Sequence, residues 1–163
     1  MSTMSMSHSA AKKNFQSPSF PLPSEIAPKS LTDMLIEISA VQPGDHVTVV
    51  GGTLSDHLVG LARWGCVSAI GIQPGSRLSP FEPADVVWFS EIDATALSRA
   101  TLSLDIGNPR AVVLVTRAVD DLGWVQDDLR RLASKGLVQC AYHQFDDRLL
   151  VVASRPKWLR QVV

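Results

Sequence analysis

A chain of 163 residues, 45% of them hydrophobic, is long enough for one globular domain around a single core and too short for two ordinary ones. Its formal net charge of −1 gives no basic surface for nucleic acid or an anionic membrane. No segment approaches the roughly 18 apolar residues of a membrane helix, so a soluble cytoplasmic protein with neither nucleic-acid nor membrane partners is expected.

Residues 1–28 are dominated by Ser, Met and Pro, and Pro18, Pro21, Pro23 and Pro28 would interrupt any helix or central strand. They read as a disordered or loosely attached leader. Lys12-Lys13 is not followed by an apolar stretch of the length a secretory signal needs. Residues 29–156 read as one domain and 157–163 as a tail.

From Ser30 the pattern becomes regular. Ser30 can cap a helix carrying Leu31, Met34, Leu35 and Ile38, which the turn Gln42-Pro43-Gly44-Asp45 stops. Val47 to Val50 is a short apolar run of the kind found in strands covered on both faces. Gly51-Gly52 follows, then a helix capped by Ser55 or Asp56 that presents Leu58, Leu61 and Ala62 and stops at Gly65. Ala69 to Ile72 makes the second strand, completing a βαβ unit.

The alternation continues with a strand at Val86 to Phe89 and a helix starting at Asp93 or Thr95 with Ala96, Leu97, Ala100 and Leu104 on one side. Ala111 to Val115 is the most apolar strand and should lie centrally. Leu122, Val125, Leu129 and Leu132 mark a further helix, with Gln126, Asp127, Asp128, Arg130 and Arg131 expected to face water. Leu137 to Gln144 and Leu149 to Ala153, flanking Asp146-Asp147-Arg148, form a hairpin. The sum is an α/β, three-layer, Rossmann-like doubly wound sheet of about six strands, mostly parallel and ending in an antiparallel hairpin.

Other side chains carry weaker signals. Cys66 and Cys140 form no CxxC and no zinc spacing, so buried free thiols in a reducing compartment and no metal site are expected. His46 and His57 flank the glycine loop beside Asp45 and Asp56, but their spacing is unlike a helical ligand pair and they read as surface or loop residues. His143 reads as turn chemistry. Trp64, Trp88, Trp124 and Trp158 read as core or interface packing.

The stretch from Ile36 through Gln42-Pro43-Gly44-Asp45 to Gly51-Gly52 resembles the entry to class I S-adenosylmethionine-dependent methyltransferases, and residues 122–156 resemble that family's C-terminal end. The resemblance implies S-adenosylmethionine as cofactor, with Gly51, Gly52, Thr53, Ser55 and Gln73 at its binding positions. Several of these depart from the family pattern. Val49 stands where the family carries an acid, Thr53 and Ser55 replace glycines, and Gln73 replaces the acid that binds the ribose. A Cβ at Thr53 or Ser55 would crowd the loop or forbid a positive φ.

The short link from Ile72 to Val86 implies either that the family's third strand is deleted, with its adenine-contacting acid, or that 86–89 is itself the third strand. Deletion leaves Ala69 to Ile72 as an edge, to be covered by the leader, by the 74–85 loop with Leu78 and Phe81, or by a second subunit. Ser90 and Glu91, at the end of the next strand, are the substrate-facing candidates; no catalytic residue or substrate class is readable. The expected function is a methyltransferase-like domain with S-adenosylmethionine binding weakened or lost, acting as a binding or assembly subunit through a homo-oligomer or protein partner. The alternatives are an active, divergent small-molecule methyltransferase and a Rossmann domain for another nucleotide.

Overall fold

The structure, a computed structural model, describes residues 29–73, 83–93, 108–117 and 123–156. The elements in chain order are α1 (Leu31–Ile38), β1 (His46–Gly51), α2 (Leu54–Trp64), β2 (Ser68–Ile72), β3 (Val86–Ser90), β4 (Ala111–Arg117), α3 (Gly123–Ser134), β5 (Gln139–Phe145) and β6 (Arg148–Ser154). The expected leader, the tail, the helix after Thr95, Leu122, Trp158 and most of the 74–85 loop, with Leu78 and Phe81, lie outside the described residues.

The six strands form one sheet in the order β2-β1-β3-β4-β6-β5. β1, β2, β3 and β4 pair in parallel, and β6 runs antiparallel to both β4 and β5. This is the expected α/β architecture with its closing hairpin. β3 pairs with β1 on the side away from β2, as the deletion reading requires, so among the described residues β2 is an edge strand.

Alternation along the parallel strands sorts the apolar side chains into two cores. Val47, Val49, Val86 and Trp88 meet Leu35 of α1 and Leu61 of α2 on one face. Val50, Val87, Phe89 and Leu114 meet Val125 and Leu132 of α3 on the other. Burial on both faces is why these strands read as continuous apolar runs rather than alternating ones. Fully burying a side chain such as Leu35 or Leu61, each 0% exposed, contributes about 1.5–3 kcal/mol.

Ser30 caps α1 as expected, and Asp33 completes a capping box: the Asp33 amide donates to Ser30 Oγ at 3.1 Å, and the Ser30 amide donates to the Asp33 carboxylate at 3.2 Å. The Gln42-Pro43-Gly44-Asp45 turn sits at the amino end of β1. There the Asp45 carboxylate accepts from the Gln42 amide and from Arg110 Nη2, both at 2.6 Å, while Arg110 Nη2 also donates to the Ala40 carbonyl. The motif behind the resemblance is thus a clamp at the end of the sheet opposite the glycine loop.

Several expectations need correction. The residue preceding α2 is Thr53, whose side chain makes no capping bond, and Ser55 and Asp56 lie inside the first turn. The helix begins early because Leu54 packs over Gly71 of β2. Asp128 is 2% exposed rather than facing water, since it lies three residues from Val125 and four from Leu132 on the buried side of α3; its carboxylate pairs with Arg131. Cys66 is only partly buried, and Cys140 is exposed because β5 is an edge strand whose residues are left uncovered among the described residues. Trp88 is a core residue, but Trp64 is 49% exposed and donates its indole N–H to the Val41 carbonyl.

Candidate functional site

Parallel register assembles most of the sequence-derived site. Val50 stands beside Ile72 and Gly51 beside Ser90, so the loop 51–53, Gln73 and Ser90-Glu91 gather along the carboxyl ends of β1, β2 and β3. Open α/β sheets bind ligands at this end.

The two loop glycines differ in what they do. A Cβ on Gly51 would lie 1.8 Å from the Ser90 carbonyl oxygen, so its absence lets β1 and β3 pair to their last residues. Gly52 is exposed and a Cβ there would meet nothing within 4 Å. Thr53 has φ −103 and Ser55 is helical, so neither needs a left-handed backbone, and both side chains are exposed. The expected strain at these positions is therefore absent; the loop has taken a conformation open to any L-residue. Val49 is 0% exposed and committed to the core beneath α1 and α2. Gln73 is exposed just past β2.

Beneath the loop runs a buried polar chain that sequence reasoning missed. His57, expected at the surface, is 3% exposed on the inner face of α2. Its Nε2 lies 3.0 Å from Ser90 Oγ and its Nδ1 2.9 Å from Thr32 Oγ1. Its ring packs edge-on against Trp88 at 5.9 Å. Burial pushes the imidazole pKa below its ordinary value, partly opposed by the nearby Asp56 and Glu91 carboxylates. The available signal was helical spacing, since His57 falls three residues after Leu54 and four before Leu61, on the apolar face. Ser90 is 0% exposed, so its hydroxyl serves this chain rather than facing a substrate.

Glu91 does face a cleft. It adopts φ +55 and forms a 2.5 Å ion pair with Arg148 Nη2 at the start of β6. The cleft has a volume of about 390 Å³, with walls formed by Glu91, Ile92, Asp93, Val115, Thr116, Arg117 and Arg148. Among the described residues no cluster of three or more His, Cys, Asp and Glu could hold a metal, and no helix is long and apolar enough to cross a membrane. His46 and His143 are exposed on β1 and β5, and neither joins the site.

No protein-family model and no curated protein matches the sequence. Solved structures do match. A provisionally assigned methyltransferase from Bacillus halodurans superposes with a TM-score of 0.53 at 12% identity, over 79% of this chain and 100% of that one. The chain has the class I methyltransferase fold. A Listeria monocytogenes protein of uncharacterised function matches this methyltransferase-like chain with a TM-score of 0.51 at 11% identity, over 78% of this chain and 69% of that one. A dimethyladenosine transferase from Plasmodium falciparum matches with a TM-score of 0.50 at 14% identity, over 81% and 62%. At such identities the likeness shows the fold alone.

Proposed function

We propose that residues 29–156 form a methyltransferase-like domain with a degenerate S-adenosylmethionine site, working as a binding or assembly subunit rather than as a catalyst. The observation that carries this reading is the fate of the carboxylate positions. Val49 is closed into the core and Gln73 offers an uncharged amide. The ammonium group and the ribose hydroxyls of S-adenosylmethionine would lose charge-assisted hydrogen bonds, which are about twice as strong as neutral ones. Two such losses of on the order of 1.4 kcal/mol each raise a dissociation constant about a hundredfold. The residues present do not fit the cofactor as the family binds it.

Calorimetric titration with S-adenosylmethionine and S-adenosylhomocysteine is expected to give no saturable heat below millimolar ligand. A double variant, Thr53→Gly with Ser55→Gly, should remain equally silent because neither Cβ strains the loop. Micromolar binding by the natural protein would overturn the degenerate reading. It would favour the second one, an active small-molecule methyltransferase, for which the cleft beside Glu91 supplies a substrate-sized space.

Assembly is supported by the two edges of the sheet. β2 and β5 each have one unpaired side among the described residues, and Val67, Val138 and Tyr142 beside or within them are 66%, 52% and 59% exposed. Uncovered edges of this kind invite pairing with another chain. Light scattering at micromolar concentration is expected to report a dimer; a strictly monomeric particle removes the homo-oligomer and leaves a protein partner as the binding role.

A further inference from the structure

The end of the β4–β6 ladder is an unusual place to find two arginines. Arg117 and Arg148 are direct cross-strand partners, the last pair in the register, and both line the cleft at the carboxyl ends of β3 and β4. Like charges placed opposite one another on one face of an antiparallel pair oppose pairing. Arg148 is compensated by Glu91, which must take a left-handed conformation, uncommon for a residue with a side chain, to reach it. No hydrogen bond or ion pair compensates the Arg117 guanidinium among the described residues. Asp93, exposed at the cleft mouth, is already engaged in an interaction of its own.

We propose that this cleft binds a small oxyanion, a carboxylate or phosphate attached to a short apolar body, through the Arg117 guanidinium. Arginine suits the task because its planar fork donates two parallel N–H bonds to a carboxylate or phosphate. The Glu91–Arg148 pair forms a neutral, oriented wall, so among the described residues an incoming anion finds one guanidinium without an ion pair, that of the exposed Arg117, rather than two. Ile92, half-buried in the cleft wall, gives the apolar body a surface. A volume of about 390 Å³ holds a small molecule and excludes a folded partner. The proposal names the ligand class for the binding role above and rests on that reading for its biological meaning; the anion site itself requires no S-adenosylmethionine.

The test is thermal unfolding of the full chain, without S-adenosylmethionine, in graded inorganic phosphate or butyrate against chloride at matched ionic strength. Saturable stabilisation by either oxyanion is expected, with butyrate preferred if the ligand is a carboxylate and phosphate preferred if it is a phosphate ester. Arg117→Ala should weaken the apparent affinity at least tenfold, while Arg130→Ala, an exposed arginine on α3 paired with Asp127, leaves it unchanged. In chloride, Arg117→Ala should unfold at a temperature no lower than the natural protein, because it removes an opposed charge. Stabilisation that never saturates, equal affinity in Arg117→Ala, or a lower unfolding temperature of that variant in chloride each overturns the proposal. None of these outcomes bears on the calorimetric titration, and micromolar S-adenosylmethionine binding would leave the anion result standing.

Discussion

Gly51→Ala is expected to cost the domain at least about 3 kcal/mol or to prevent folding, whereas Gly52→Ala shifts stability by less than about 0.5 kcal/mol. The two neighbours look alike in sequence. In the structure a methyl group on Gly51 would sit 1.8 Å from the Ser90 carbonyl oxygen, well inside any tolerable contact. That oxygen belongs to backbone paired in the middle of the sheet, so relief requires β1 and β3 to part at their carboxyl ends. Parting them would also loosen Trp88 and Phe89, each at most 1% exposed, from the two cores they anchor. Gly52 has open space where its Cβ would point. Urea midpoints of the two single variants decide the matter; similar losses from both would show that the loop, not the strand contact, demands glycine.

This contrast explains why Gly51 survives where Thr53 and Ser55 do not resemble the family. Its presence follows from strand packing alone and implies nothing about a bound nucleotide. The Gln42-Pro43-Gly44-Asp45 turn is similar: it signalled the fold correctly because Asp45 and Arg110 clamp the amino end of the sheet, away from the ligand end.

Fold was therefore legible where local patterns and packing agree, as in the apolar runs Val47 to Val50 and Ala111 to Val115 and the helix cap at Ser30. The site was less legible because it depends on which residues a parallel register sets side by side. Nothing in the order of the chain places Arg117 opposite Arg148, or Ser90 against His57. The close crossing of α1 and α2 is likewise a tertiary fact: a Cβ on Gly60 would come 2.5 Å from Thr32 Cγ2, and this proximity is what brings the Thr32 hydroxyl to His57.

The natural protein is expected to lose stability as pH falls from about 7.5 to 5.5, and His57→Gln to lose markedly less. Burial lowers the folded-state pKa of His57, while the unfolded chain titrates near the ordinary value of 6.5. Between those two values the unfolded state binds more protons, so stability is complete above about pH 6.5 and declines as pH drops through the folded pKa. Of the charges facing the ring, Asp56 on α2 and Glu91 after β3 favour the imidazolium, Arg148 on β6 opposes it, and desolvation outweighs them. Hydrogen bonding alone would not produce this sign, because an imidazolium could still donate to both the Ser90 and the Thr32 hydroxyls. Glutamine retains a donor and an acceptor without a titrating ring. His57→Ala removes both and leaves two buried hydroxyls beside a cavity, at a cost of about 3 kcal/mol at neutral pH. Unfolding midpoints of the three proteins across that pH range separate the charge effect from the packing effect. A wild-type slope matching that of His57→Gln would mean that water reaches the imidazole, and that the Thr32–His57–Ser90 chain is not the dry link between α1, α2 and β3 from which its acid sensitivity is derived.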